Sequence, residues 1–194
     1  MSGQIKITDG DALIVVDVQN DFLHGGSMAV PDGEAVIAPL NRIIDIFQPK
    51  GFPIYAVRDV HPSNHCSFKA QGGPCPAHCM VGTPGAEFAP SLGLPAFAMM
   101  VTKATSADKD ASSAFDGTNL DFQFMMYGVK RVFIGGLDIG DCLLNTVQEM
   151  LKKGLQVHPI SDGIRAQGGT DVVAKMAALG AVPVASADIT SGTN

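Results

Sequence analysis

Uninterrupted apolar runs alternate along this chain with apolar residues at helical spacing. Ala12-Leu13-Ile14-Val15-Val16 contains no polar residue and ends on Asp17, which predicts a strand buried on both faces. Gly25, Gly26, Pro31 and Gly33 mark a loop, after which Ala35, Val36, Ile37, Leu40, Ile43, Ile44 and Phe47 trace one face of a helix. Pro53 to Val57 is the second strand, followed by Arg58-Asp59-Val60-His61. A long segment from Pro62 to Leu94, rich in Gly, Pro and Cys, comes next. Phe97 to Val101 makes a third strand with Lys103 just beyond it, and Leu120, Phe124, Met125 and Tyr127 outline a helix closed by Gly128. Val132-Phe133-Ile134 is the fourth strand. It ends in Gly135-Gly136 and is followed, after a turn, by Cys142 and by Leu143, Leu144, Val147, Met150 and Leu151 at helical spacing. Leu155 to Pro159 reads as a fifth strand, Asp171 to Leu179 as a helix stopped by Gly180, and Ala181 to Val184 as a short last strand. Residues 186–194, mostly Ser, Thr and Gly, are expected to fray.

Strands alternating with helices predict a single α/β domain over residues 1–194, with a core at 10–185. Its sheet should be mainly parallel, doubly wound and flanked by helices, with right-handed crossovers. Such sheets bind ligands at the carboxyl ends of their strands. Asp17, Asp59, His61, Lys103 and Cys142 each follow their own strand and should meet at that edge.

Composition narrows the partners. The 194 residues are 46% hydrophobic and 16% charged, with a net charge of -6 and no basic cluster, which argues against nucleic acid. No apolar stretch is long enough to span a bilayer, and residues 1–10 lack the apolar core of a signal peptide, so no membrane partner and a cytoplasmic location are expected. Cysteines 66, 75, 79 and 142 are expected to be reduced thiols, because a chain of this size needs no disulfide staples.

Cys142 sits where a strand, a glycine-bearing turn and a helix meet. The free N–H groups and dipole of a helix start favour a thiolate and can also stabilise an oxyanion. A lone cysteine beside a strand is more commonly a small core residue, and an Asp after a strand a turn or cap residue. Taken together with Asp17 and Lys103, however, the thiol acquires a base and a cation that keeps the base charged. Asp59-x-His61-x3-His65, with His78 further on, offers oxygen and nitrogen ligands suited to zinc or a similar ion. A rival reading makes Cys75, His78 and Cys79 a structural zinc knot, without an obvious fourth ligand.

These residues resemble the isochorismatase-like cysteine hydrolases, and within them the nicotinamidase branch. The resemblance is carried by Val16-Asp17-Val18-Gln19-Asn20-Asp21-Phe22, by residues 59–68 and 76–88, and by Lys103 with Asp110 and Ser113-Ala114-Phe115. It implies a catalytic triad of Asp17, Lys103 and Cys142. It also implies one divalent ion, zinc before iron or manganese, held by Asp59, His61 and His78 with His65 as a further or alternative ligand. The implied reaction converts nicotinamide to nicotinate and ammonia through a thioester on Cys142. The expected partners are a small-molecule amide and further copies of this chain in a homo-oligomer. A cis peptide at Leu137-Asp138 would direct the Asp138 N–H to join that of Cys142 as an oxyanion hole. Cys75 and Ser112 stand where the branch usually has a tryptophan and a tyrosine, and Asp138 to Asp141 replaces its usual turn. The expected substrate pocket is Phe22, Phe68, Cys75 and Ser112, with less ring surface for stacking. The alternatives are another small-amide hydrolase of the superfamily or, from a different class, a metal or redox sensor built on Cys66, Cys75 and Cys79. A sensor has no need of Asp17 and Lys103.

Overall fold

A computed structural model describes residues 4–168 and 171–192. A five-stranded parallel sheet has the order β4-β3-β2-β5-β6, where β2 is Asp11–Val16, β3 Ile54–Asp59, β4 Met99–Lys103, β5 Arg131–Asp138 and β6 Gln156–Ala166. The apolar run of β2 occupies its centre, and all of its residues are buried. Alternate side chains explain why the run has no polar break. Leu13 and Val15 join one core with Leu40, Ile43, Ile44 and Phe47 of α1 (Ile37–Phe47). Ala12, Ile14 and Val16 face the other core, formed with α2 (Leu120–Met126), α3 (Cys142–Lys152) and α4 (Val172–Ala178). Burying each Leu, Ile or Val side chain contributes roughly 1.5–3 kcal/mol, so the central strand anchors both layers.

The chain moves from β2 outward to β3 and β4, then returns to the other side of β2 for β5 and β6. The order therefore reverses between β2 and β5, where a crevice opens beyond the strand ends. Asp17 follows one of these strands and Cys142 the other. Gly136 permits the two to approach closely, because a Cβ there would collide with the Val16 backbone and its φ is +133°.

Several boundaries differ from the hydrophobic pattern: β3 runs on to Asp59, β4 is shifted to Met99–Lys103 so that Lys103 ends the strand, and β5 continues through Gly135 and Gly136 to Asp138. Strand β6 continues through Pro159 and Gly163 to Ala166, with a register shift opposite Ile134 and Gly136; it lies at a sheet edge, where a proline is tolerated. The expected strand at Ala181–Val184 reduces to one bridge between Ile160 and Val184. The expected frayed tail is ordered at its start: β7 (Ile189–Thr190) pairs in parallel with β1 (Ile5–Lys6), and Ile189 is fully buried. Residues 193 and 194 lie outside the described residues. Among the described residues, no helix is long and apolar enough to cross a membrane.

Candidate active site

Asp17, Lys103 and Cys142 meet at the crevice. Lys103 is the last residue of β4 and registers opposite Asp59, the last of β3. Its ammonium lies 2.6 Å from Asp59 Oδ1 and 3.0 Å from Asp17 Oδ2. All three groups are withdrawn from water, Asp17 at 0% and Lys103 at 1% exposure. Asp17 adopts a left-handed backbone, φ 57°, with its N–H on the Val57 carbonyl; neither carboxylate oxygen receives a well-aligned hydrogen bond. Burial pushes its pKa up to about 7, assisted by the Asp59 and Asp138 charges and opposed by Lys103. Burial alone would lower Lys103, but the Asp17 and Asp59 carboxylates outweigh it and hold the ammonium well above its ordinary value.

Cys142 opens α3 and is 3% exposed. Desolvation raises its thiol pKa, Lys103 lowers it, and Asp17 and Asp59 raise it further. The sequence leads one to expect a thiolate favoured by the helix start. In the structure burial prevails and the thiol keeps its proton, so a base is required.

The turn before the thiol corrects a second expectation. No peptide among the described residues is cis, and β5 stays in register with β6 through Leu137 and Asp138. The Cys142 N–H donates to the Ile139 carbonyl at 3.0 Å, so it is not a free oxyanion donor here. The Asp138 carboxylate accepts from the Leu143 and Leu144 N–H groups. Asp141 is left-handed at φ 64°, with its side chain 61% exposed and 3.9 Å from Lys175.

The long segment after β3 folds back on His61. The His61 N–H donates to the Cys79 carbonyl and the Val81 N–H to the His61 carbonyl, which brings His78 alongside. Ring centroids of His61 lie 4.2 Å from His65 and 4.6 Å from His78. His61 Nδ1 bonds the His78 carbonyl and His78 Nδ1 the Pro76 carbonyl, leaving Nε2 of each as a lone-pair donor for a metal. Burial lowers the His61 pKa and keeps it neutral, as a ligand must be. Among the described residues, the one group whose donor atoms all lie within 4.8 Å of one another is His61, His65 and Asp110. Asp59 and His78 fall outside that group, and Asp59 Oδ1 accepts from Lys103. Asp110 follows β4 at no spacing that links it to the histidines, so only the fold relates them. The Cys75, His78 and Cys79 knot is not formed: the Cys79 thiol turns toward the Gly85 carbonyl, 3.9 Å away. All four cysteines are free thiols.

A cavity of about 210 Å³ joins these groups, lined by Asp59, His61, His78, Lys103 and Cys142 together with Cys75, Ser112 and Gln167. Phe22 and Phe68, expected to line the pocket, are at 0% and 2% exposure. They pack against the imidazoles, Phe22 at 5.7 Å from His78 and Phe68 at 5.5 Å from His61, and brace the rings from behind the cavity wall. Gln167 ends the β6 side of the cavity and carries no signal in the sequence that separates it from a loop residue.

Gln19 is a further missed residue. Fully buried, it donates to the Asp59 and Ala86 carbonyls at 2.7 and 2.9 Å and accepts the Asp59 N–H at 2.8 Å. It thereby ties the end of β3 to the loop behind it. Gln19→Leu leaves these backbone groups unpaired and is expected to lower unfolding stability by about 3 kcal/mol, measured by urea titration.

The chain has counterparts among known proteins. Residues 11–189 match the isochorismatase domain. The nicotinamidase of Escherichia coli K12 is 32% identical over 203 residues, covering 91% of this chain and 95% of that protein. The pyrazinamidase of Pyrococcus horikoshii, solved in complex with zinc, is 41% identical with a TM-score of 0.85 over 91% of this chain and 99% of its own. The PnC1 protein of L. infantum, solved in complex with nicotinate, is 30% identical with a TM-score of 0.87 over 96% and 98%.

Proposed function

The chain belongs to the isochorismatase domain family, and from that premise we propose that it is a nicotinamidase, a cysteine amidohydrolase converting nicotinamide to nicotinate and ammonia. The observation that carries this reading is one cavity shared by Cys142, Lys103, His61 and His78, with the buried Asp17 carboxylate 3.0 Å from Lys103.

Asp17 takes the proton of Cys142 as sulfur attacks the carboxamide carbon. Protonated Asp17 then returns it to the departing amine, ammonia leaves, and a thioester remains on Cys142. Asp17, again a carboxylate, removes a proton from water as it attacks the thioester and returns that proton to the departing sulfur; the acid so formed loses its own proton to solvent and leaves as nicotinate. Lys103 holds Asp17 in reach and stabilises its charged form. His61 would hold a divalent ion, zinc before iron or manganese, with His65 and Asp110 or with His78 and Asp59 completing its shell. When bound, such an ion supplies a Lewis acid that receives the ring nitrogen of the substrate. Cys75 and Ser112 would then line the substrate's flank.

Ammonia release from nicotinamide by metal-loaded protein tests the assignment. Release is expected, and it should fall on chelation and return with zinc. Hydrolysis of other small amides with none of nicotinamide would move the substrate within the superfamily.

The pH profile follows from Asp17. Its pKa is raised to about 7, and it serves as a base only when ionised. Protonation below that value removes the base, so kcat/KM should fall about tenfold per pH unit below about 7 and level off above it. A profile flat down to pH 5 would remove Asp17 from the role.

A further inference from the structure

We propose that the Asp138 carboxylate is the positioning residue for Cys142, fixing the first turn of α3 as a hydrogen-bond acceptor and so setting the direction of the thiol. The inference rests on Cys142 being the nucleophile.

The residue that directly precedes α3 cannot do this work. Asp141 occupies the N-cap position in a left-handed conformation, makes no side-chain cap bond, and turns outward toward Lys175. Asp138, at the end of β5 and 4% exposed, reaches back across the turn instead. Its Oδ1 accepts from the Leu143 N–H at 2.9 Å and from the Leu144 N–H at 3.3 Å. These are two of the donors that a helix start leaves without an intrahelical partner. On the same peptide unit, Thr146 Oγ1 donates to the Cys142 carbonyl at 2.8 Å and accepts the Ala114 N–H at 2.9 Å. The peptide that follows the nucleophile is thus held at both of its polar groups, Asp138 accepting its N–H and Thr146 donating to its carbonyl, while the Cys142 N–H is held by the Ile139 carbonyl at 3.0 Å.

Between Asp138 and Cys142 the chain forms part of the cavity wall through Ile139 and Gly140, whereas Asp138 itself does not line the cavity. Its influence on the substrate must therefore pass through the turn and the thiol. A carboxylate aimed at a helix start also competes with a thiolate for the same positive dipole end, so it is the acceptor atom, and not the negative charge, that serves the nucleophile. Asn supplies the same acceptor without the charge.

The variants Asp138→Ala and Asp138→Asn separate these roles. The readouts are kcat and KM on nicotinamide, or on whichever small amide the parent protein hydrolyses, and hydrogen exchange at the Leu143 and Leu144 amides. Loss of the acceptor in Asp138→Ala should lower kcat on the order of 30- to 100-fold, the scale expected of a nucleophile displaced by about 1 Å. KM should stay within about threefold, and protection of the two amides should be lost. Asp138→Asn should keep kcat within about threefold of the parent and retain that protection. Three results would overturn the proposal: unchanged kcat in Asp138→Ala, a rise in KM without a fall in kcat, or Asp138→Asn as impaired as Asp138→Ala. If Asp138→Ala does not fold, the Asn variant decides alone, with retained rate and protection supporting the proposal and their loss refuting it. Absence of turnover by the parent on any amide would fail the functional reading, while amide exchange still reports on the anchor.

Discussion

Cys142→Ala is expected to abolish amide hydrolysis while leaving the protein folded. In the proposed reaction the sulfur forms the only covalent bond to substrate, and alanine offers nothing to replace it, so the loss should be on the order of 10⁴-fold or more. The remaining groups would still bind the amide, because His61, His78 and Lys103 line the cavity independently of the thiol. Structurally the change is small. Cys142 is 3% exposed and buried at the head of α3, and deletion of one sulfur atom leaves Leu143, Val147 and Met150 of that helix packed as before. A cost of about 1 kcal/mol is expected, visible as a modest shift of the thermal midpoint. Ammonia release and thermal melting measure both quantities. Turnover by the variant within tenfold of the parent would refute Cys142 as the nucleophile.

What the sequence revealed was decided by periodicity and chain order. The unbroken run Ala12–Val16 located the central strand, because only a strand with cores on both faces needs apolar side chains at every position. Asp17, Asp59, Lys103 and Cys142 could be placed together because each ends or follows a parallel strand, and parallel strands end at the same edge. Hydrogen-bond direction, in contrast, is not written in periodicity. The outward turn of Asp141, the inward reach of Asp138 and the Ile139 carbonyl on the Cys142 N–H depend on φ values at Gly140 and Asp141 that residue types only permit. The same applies to His61 and His78, whose ring orientations come from carbonyls of the folded-back loop. Phe22 and Phe68 are aromatics near candidate ligands, which suggests stacking on a substrate ring. Burial behind the imidazoles gives them a bracing role that composition cannot distinguish from the other. The tail differs for a related reason: a Ser, Thr and Gly segment carries no apolar pattern, yet it is docked by the pairing of Ile189 and Thr190 with β1 and by the Ser186 hydrogen bonds to Asp162.

Lys103→Met should be the most damaging substitution for stability and should also eliminate turnover. The wild-type ammonium balances two carboxylates at 2.6 and 3.0 Å in a region with almost no water. Methionine fills a similar volume but leaves Asp17 and Asp59 facing each other without a cation. Breaking a buried pair in this way costs about 3–5 kcal/mol, most of it from the stranded charge. The molecule can reduce that cost only by taking up a proton, so the Asp17 pKa, already raised to about 7 by burial, must rise further. The pH dependence of stability then follows in sign. A carboxyl group whose folded pKa lies above its unfolded value binds protons more tightly in the native state, so its contribution is most favourable below the unfolded value of 3.8 and is lost as pH rises through the folded one. Lys103→Met should therefore become less stable from pH 5 to pH 8, with a decline that continues above pH 7, where that of the wild type levels off. Activity is lost over the same range for a linked reason: where Asp17 is protonated it cannot accept the Cys142 proton, and where it is ionised the site is strained by two adjacent anions. Urea titrations at pH 5, 7 and 8, paired with ammonia release, measure both effects. A variant with parent-like stability and an unchanged slope against pH would mean that Lys103 does not balance these carboxylates in solution.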